Sequence, residues 1–230
     1  NFGYAENLIN RLNSLGIITV MDLDDYWLPG KEHPAHNLII SQKIHEKILN
    51  NIKASRYVTT TTSIFADEIK KYNKNVFVLP NAIDPSEEQF NEKTEPSDRL
   101  RFGWLGGSSH LHDLKLIDGT FAKLVGLKDK YQLFLCGFDT RGKVTEINPK
   151  TGEQNQRPIQ PLETVWYKYE QMFTDNYRLV SEEHKEFLHK FEPLDYPDKD
   201  AFYHRVWTQP INVYAKNYSK FDVSLAPIKD

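Results

Sequence analysis

The sequence has little cysteine, no long apolar run and no excess of charge of either sign. Its single cysteine, Cys136, excludes an internal disulfide and any zinc site built from cysteines. No apolar run approaches the roughly 18 residues that a membrane-spanning helix needs. The 29 basic and 32 acidic side chains nearly cancel, which argues against a nucleic-acid-binding or membrane-surface protein. The chain also opens at Asn1 without a signal peptide, so we expect a segment of a longer, cytoplasmic protein.

The first third of the chain alternates short apolar segments with helical stripes. Isoleucine recurs at every fourth residue from Ile40 to Ile52, which predicts one amphipathic helix over roughly 38–53. Short segments rich in β-branched residues on either side are typical of buried strands. Strand and helix patterns in alternation indicate a parallel, doubly wound sheet. Strands are predicted at 17–22, 56–60 and 76–80, and further helices at 8–15 and 62–72.

The pattern stops in a polar stretch, residues 81–99, and then restarts. We interpret residues 1–85 as part of one Rossmann-like domain, 86–98 as a linker, and 99–230 as part of a second. Both domains are expected to be incomplete, because the first lacks its opening strands and the second ends just after a strand. In the second domain we predict strands at 100–107, 131–138 and 221–228, helices at 110–127, 162–173, 182–190 and 211–220, and an inserted polar hairpin at about 140–160 around "NPKTGE".

A glycine-rich turn follows the first strand of the second domain, in "WLGGSSHLHDL". Gly106 and Gly107 allow a close approach to the backbone, and a helix is predicted to begin near Ser108 or Ser109. Free amides at such a turn attract phosphate, although an ordinary tight turn with a serine cap has the same sequence. The turn is neither G-x-G-x-x-G nor a Walker loop, which disfavours a Rossmann NAD site and an NTPase. His110 lies in the first helical turn, where it can face a phosphate.

Three stretches, taken in this order, resemble a known enzyme family: "ASRYVTTTTSIFADEIKKY…VFVLPNAIDP", "RFGWLGGSSHLHDL" and "NVYAKNYSKFDVSLAPIKD". They look like a GT-B type glycosyltransferase of the retaining, family 4 or group 1 class. The resemblance covers about residues 15–138 and 190–230. It implies transfer of a sugar from a nucleotide diphosphate sugar to a saccharide or lipid-linked acceptor in polysaccharide biosynthesis. It also implies no cofactor and no metal, since amide dipoles and cations can stabilise the leaving diphosphate, and a peripheral membrane contact of the full-length protein.

The resemblance also assigns residues to the nucleotide-sugar donor. It places the loop from Pro193 to Tyr196 near the base. The sequence departs from the family in two respects. The cation expected after the glycine-rich turn has only Lys115 as a poor match, and the acidic Glu-x7-Glu donor motif is not found after the strand that ends at Pro227. We therefore expect no transferase turnover from these 230 residues alone. The donor-binding residues are predicted to be Gly106, Gly107, Ser108, Ser109, His110 and Gly137.

Three aspartates crowd the end of the first predicted strand, in "VMDLDDYW". Asp22 and Asp24 match the Asp-x-Asp of haloacid dehalogenase-like phosphatases, but Tyr26 stands where that family has threonine or valine. A metal-binding Asp-x-Asp of the GT-A type is disfavoured because the strand pattern restarts in a second domain. A purely structural alternative is that Asp22 and Asp24 accept hydrogen bonds from the backbone amides of the loop that follows. We predict that Asp22, Asp24 and Asp25 line an interdomain cleft on the acceptor side as catalytic or sugar-binding groups, without metal.

A non-catalytic carbohydrate-binding module is the remaining alternative. Residues 162–218 are rich in tyrosine, tryptophan and phenylalanine, whose rings can stack on sugars. A nucleotide titration separates these interpretations, because only the transferase is expected to prefer UDP or GDP over free sugar.

Overall fold

The computed structural model describes residues 5–31, 33, 35–147 and 153–228. The chain divides into two compact units, residues 1–84 and 85–230. Each unit is built on a parallel β-sheet with helices, so the fold is of the mixed α/β class. Within the described residues, no helix is long and apolar enough to cross a lipid bilayer.

The first unit contains a three-stranded parallel sheet in the order β1-β2-β3. Trp27, Ile52, Val58 and Ile69 form its buried core. Helix α4 begins where the Thr62 hydroxyl accepts a hydrogen bond from a backbone amide three residues on. The elements are α1 (Ala5–Ser14), β1 (Val20–Leu23), α2 (His36–Ser41), α3 (Ile44–Ala54), β2 (Tyr57–Thr60), α4 (Ser63–Ile69) and β3 (Val76–Val78).

The single helix predicted over 38–53 is wrong, because the chain forms two helices there. Lys43 adopts the left-handed conformation, with φ of 52°, between α2 and α3. Because of this break, the isoleucines of α2 and α3 do not share one helix face, and Ile52 is buried whereas Ile40 is exposed. The first strand is also shorter than predicted, since β1 begins at Val20 and the isoleucines before it are exposed. The isoleucine spacing continues unchanged across the break at Lys43, so the spacing alone cannot show that the backbone changes direction there.

The second unit is built on a four-stranded parallel sheet in the order β8-β5-β4-β9. In chain order this is 3-2-1-4, the arrangement of doubly wound nucleotide-binding folds. Strand β9 lies close to β4 because Gly103 has no side chain, and a Cβ there would meet the Phe221 ring at 2.0 Å. The elements are β4 (Leu100–Leu105), α5 (Leu111–Leu114), α6 (Thr120–Lys123), β5 (Tyr131–Phe138), β6 (Lys143–Ile147), β7 (Gln154–Pro158), α7 (Val165–Thr174), α8 (Glu182–Leu188), β8 (Tyr203–Trp207) and β9 (Val223–Ser224).

Strand β8 is absent from the sequence-based prediction. Its segment, "YHRVW", mixes polar and apolar residues and does not read as a buried strand. The polar members are satisfied inside the unit: Arg205 pairs with Glu170, and His204 lies 3.2 Å from the Gln132 amide. Because the polar side chains of β8 are buried with hydrogen-bond partners, this strand lacks the apolar run that made β5 recognisable.

The helix predicted from His110 to Leu127 is also wrong. The segment forms α5, α6 and two short 3-10 helices, Lys115–Ile117 and Val125–Lys130. Gly119, with φ of +71°, interrupts it before α6. The helix predicted at 211–220 is likewise a 3-10 helix, Tyr214–Lys220.

A polar hairpin extends from the end of β5. Strands β6 and β7 pair antiparallel, with Lys143 opposite Pro158; residues 148–152, at the tip of the predicted turn, lie outside the described residues. The Arg157 guanidinium donates to the Glu163 carboxylate at 2.8 Å, which ties the hairpin to the next segment.

The polar stretch after residue 85 also packs within this unit. The Lys216 ammonium contacts the Glu88 carboxylate at 2.8 Å, and Glu88 begins a short 3-10 helix.

Candidate functional site

A cavity of about 470 Å³ opens at the carboxyl ends of β4, β5 and β8 in the second unit. Ligands of open α/β sheets bind at this edge, near the point where the strand order reverses. Here the reversal lies between β4 and β9. Four of the six residues predicted to bind the donor line this cavity: Gly106, Gly107, Ser108 and Gly137.

The three glycines at this edge have different roles. Gly137 has φ of +99°, and a Cβ there would lie 2.6 Å from the Gly106 carbonyl oxygen. A Cβ at Gly106 would lie 2.5 Å from the Trp104 ring. Both glycines are therefore required for packing. A Cβ at Gly107 would meet nothing within 4 Å, so of these three glycines only Gly107 has room for a side chain on the cavity side.

The turn after Gly107 is held by a tyrosine of α7. The Tyr169 hydroxyl accepts a hydrogen bond from the His110 amide at 2.9 Å and donates to the Gly107 carbonyl at 3.4 Å. Burial raises the pKa of Tyr169 to about 12, so the hydroxyl keeps its proton. Within the described part of the chain, the amides of Ser108 and Ser109 donate no hydrogen bond. The turn is thus fixed while these two amides stay available.

The helix that was predicted to begin at Ser108 or Ser109 begins at Leu111 instead, and it has only 4 residues. His110 stands before it, with its ring Nδ1 3.0 Å from the Asp113 carboxylate. Ser109 and His110 do not line the cavity. The predicted phosphate contact of the His110 side chain therefore has no support from its position.

The positive charges at the cavity come from residues that the sequence did not single out. Arg141 and Lys143 line it, together with Asp139, on the segment that leads from β5 into the hairpin. The Arg141 guanidinium donates to Asp139 at 2.8 and 2.9 Å. This hydrogen bond holds the pKa of Asp139 below its usual range, so the carboxylate stays ionised. Lys115, the cation matched from the family pattern, is not among the lining residues.

One wall of the cavity is aromatic and comes from the start of α7. Trp166 lies there, next to the Thr164 hydroxyl that caps the helix by accepting from the Tyr167 amide at 3.3 Å. Tyr214 contributes a second ring, and its pKa is raised by burial. The lining of the cavity therefore combines bare backbone, cations and two aromatic side chains.

The loop from Pro193 to Tyr196, which the family resemblance places near the base, does not line this cavity. Tyr196 lines a separate cavity of about 250 Å³ beside the amino end of β8. Its ring stacks on His184 with centroids 3.9 Å apart. Burial lowers the pKa of His184 to about 4, so the ring is neutral at physiological pH.

The three neighbouring aspartates Asp22, Asp24 and Asp25 are all exposed. Asp22 lies in β1, where its carboxylate accepts a hydrogen bond from the Thr59 hydroxyl of β2 at 2.5 Å. Asp24 and Asp25 follow directly after the strand. Among the described residues, no group of three histidine, cysteine or acidic side chains is arranged to hold a metal ion.

A buried ion pair lies in the interior of the second unit, between α7 and β8. Glu170 of α7 receives hydrogen bonds from the Arg205 guanidinium at 2.5 and 2.8 Å and from the hydroxyls of Tyr177 and Tyr203. The Arg205 guanidinium also lies 4.3 Å from the centre of the Phe138 ring. The pair joins α7, which carries the aromatic wall, to β8.

No protein-family model matches this chain, and no curated protein is significantly similar to it in sequence. The function is therefore inferred from the cavity and from the patterns in the sequence.

Proposed function

We propose that the second unit binds a nucleotide diphosphate sugar and that the protein is a GT-B type glycosyltransferase. The observation that carries this proposal is the cavity at the carboxyl ends of a 3-2-1-4 parallel sheet, where Gly107 borders open space and cations stand nearby. Its volume of about 470 Å³ lies within the range of small-molecule sites. The reaction proposed is transfer of the sugar to a saccharide or lipid-linked acceptor.

The chemistry proposed for this site is stabilisation of the leaving diphosphate. When the bond between the sugar and the diphosphate breaks, negative charge develops on the departing oxygen. The amide of Ser108 and the side chains of Arg141 and Lys143, which line the cavity, supply a dipole and charge for that oxygen. Because these groups are held before the reaction, they need little reorganisation, and the proposal requires no metal.

The acceptor side is proposed to lie on the first unit. Asp22, Asp24 and Asp25 stand at the carboxyl end of a parallel strand, where side chains of α/β enzymes act. Carboxylates accept hydrogen bonds from sugar hydroxyls, and the Thr59 hydroxyl fixes the orientation of Asp22. A cytoplasmic location is part of the proposal, and the single cysteine, Cys136, is buried with its pKa raised to about 12, which keeps it unreactive.

The proposal is tested by comparing two glycine variants. Gly107 and Gly126 both leave room for a side chain, but only Gly107 lines the cavity. We expect Gly107→Val to weaken binding of UDP or GDP about tenfold or more, because the side chain displaces the diphosphate from one or two charge-assisted hydrogen bonds. Gly126→Val should bind as wild type does. Affinity is measured by calorimetry after circular dichroism confirms folding.

Two results would count against the proposal. If Gly107→Val folds and binds nucleotide as tightly as wild type, the turn is not part of the donor site. If wild type binds free sugars but neither UDP nor GDP, a carbohydrate-binding module explains the aromatic wall better.

A further inference from the structure

A 3-10 helix between β8 and β9 supplies part of the cavity wall in the second unit. This helix, Tyr214–Lys220, begins with Tyr214, which lines the cavity. The buried side-chain amide of Asn217 donates a hydrogen bond to the Tyr214 carbonyl at 3.1 Å. A 3-10 helix has poorer hydrogen-bond geometry than an α-helix, so contacts with other segments contribute to the position of Tyr214.

Such contacts come from the polar segment that precedes β4. The Lys216 ammonium lies 2.8 Å from the Glu88 carboxylate and 3.2 Å from the Glu92 carboxylate. The side-chain carbonyl of Gln89 accepts a hydrogen bond from the Ala215 backbone amide at 3.3 Å. The polar segment is thus bound to the first turn of the 3-10 helix.

The far end of the polar segment is held by a buried arginine of β4. The Arg101 guanidinium donates to the Asp222 carboxylate at 2.9 and 3.0 Å and also to the Glu95 carbonyl. Asp222 lies two residues after the end of the 3-10 helix, so one arginine holds both the polar segment and the chain that leaves the helix. Residues 86–95, called the docked segment below, are therefore fixed at both ends.

Docking of this segment is mainly electrostatic. The docked segment contains four glutamates and one lysine, whereas the 3-10 helix contains two lysines and no acidic residue. The hydrogen bond from Lys216 lowers the pKa of Glu88, so this carboxylate stays ionised at neutral pH. Within the docked segment, all of which the structure describes, only Gln89 and Phe90 are partly buried. Because little apolar surface is buried, docking depends largely on Lys216.

We propose that Lys216 is a positioning residue for the cavity, because it clamps the docked segment onto the 3-10 helix and thereby holds Tyr214 in the cavity wall. Docking of the segment and binding of a ligand then favour each other, since both require the same position of the helix. The clamp does not depend on the identity of the ligand. Its effect on nucleotide binding rests on the proposed function.

The test compares Lys216→Met with Lys216→Arg, which keeps the positive charge. The double variant Glu88→Gln/Glu92→Gln removes the charges of the two partners instead. The matched control is Lys185→Met, because Lys185 is also a lysine of the second unit that pairs with a glutamate, Glu182 at 3.5 Å, and does not line the cavity. Circular dichroism confirms that each variant folds.

Two measurements need no ligand. Trypsin cleavage after Lys93, an exposed residue of the docked segment, reports release of the segment, because cleavage requires local opening. Hydrogen exchange of residues 211–221 reports opening of the 3-10 helix. We expect Lys216→Met to speed both about twofold to fivefold, the range that loss of partly exposed ion pairs gives. Lys216→Arg and Lys185→Met should match wild type.

The charges themselves are tested by salt and by combining the variants. Glu88→Gln/Glu92→Gln should speed cleavage and exchange as Lys216→Met does. The triple variant should add nothing further, because either change alone already removes the ion pairs. In about 1 M salt, the difference between wild type and Lys216→Met should disappear.

Nucleotide binding supplies the remaining measurement. Calorimetry with UDP and GDP should show binding about twofold to fivefold weaker in Lys216→Met, with wild-type affinity in Lys216→Arg. Saturating UDP should slow cleavage after Lys93 in wild type, because the coupling between two sites is reciprocal.

The outcomes keep this inference apart from the proposed function. If Lys216→Met leaves cleavage after Lys93 or exchange of residues 211–221 as in wild type, the clamp is overturned, whatever the cavity binds. If both rise but the affinity for UDP and GDP is unchanged, the clamp does not position the cavity wall, and the inference is overturned. If wild type binds neither UDP nor GDP, the proposed function falls, and cleavage and exchange alone decide the inference.

Discussion

Replacing Arg205 with methionine should destabilise the second unit strongly. The Glu170 and Arg205 side chains are 0% and 3% exposed, and the Glu170 carboxylate accepts four hydrogen bonds, two of them from Arg205. Methionine keeps the length of the arginine stem but removes its charge and donors. The carboxylate is then left in the interior with two tyrosine hydroxyls and no positive partner. Breaking a buried ion pair in this way costs about 3–5 kcal/mol.

The loss is measured by urea and thermal unfolding followed by tryptophan fluorescence, which mainly reports on this unit because Trp104, Trp166 and Trp207 belong to it and one tryptophan does not. We expect Tm to fall by roughly 10 °C. The double variant Glu170→Gln/Arg205→Met should recover most of the stability, because a neutral amide needs no counter-charge.

The control for surface charge is Arg178→Met. Arg178 lies 3.6 Å from Asp175 and is exposed, so its loss should change the free energy of unfolding by less than about 1 kcal/mol. If the free energy of unfolding of Arg205→Met is within about 1 kcal/mol of that of wild type, the carboxylate is not buried against this guanidinium, and the description of the ion pair fails.

Three further predictions concern single positions. Gly137→Ala should lower the free energy of unfolding by about 1–3 kcal/mol, measured in urea, because φ is +99° and the new Cβ meets a carbonyl oxygen at 2.6 Å. Lys43→Gly should raise it by up to about 1 kcal/mol, because the left-handed φ of 52° suits glycine. Burial lowers the pKa of His184 to about 4 from 6.5, so the stability contributed by the neutral ring is full above pH 6.5 and is lost as pH falls towards 4. Wild type should therefore lose about 2–3 kcal/mol more than His184→Phe between pH 7 and pH 4 in urea unfolding.

The strands that the sequence predicted are those whose signal is local. Strand β5 is apolar without a break from Leu133 to Phe138, and all but one of the strand's residues are buried, so the local sequence identifies it. Strand β8 was missed because Arg205 and His204 interrupt its apolar pattern. Their burial is possible only because Glu170 and Gln132, more than thirty residues away along the chain, supply hydrogen-bond partners. These hydrogen bonds join residues far apart in the chain, so they leave no periodic pattern in a short stretch of sequence.

The candidate site divides in the same way. The family resemblance assigned Gly106, Gly107, Ser108 and Gly137 to the donor, and they line one cavity because parallel strands end at one edge of a sheet. Arg141 and Lys143 carried no such signal, because polar residues in a hairpin are usually only solvated. The long helix predicted after the turn is interrupted at Gly119, which has the left-handed backbone conformation. The apolar residues on either side, Leu114 and Phe121, are nevertheless both buried, so the apolar spacing did not reveal the break.

The sequence by itself determined the parallel α/β class, most of the strands and the glycine-rich turn, since apolar periodicity and glycine act over a few residues. Only the tertiary structure decided which charges reach the cavity, which glycines are needed for packing, and that α7 holds the turn through Tyr169. Those features depend on distances between residues far apart in the chain. Close packing and the need to satisfy every buried polar group set such distances, and both act only once the elements are assembled.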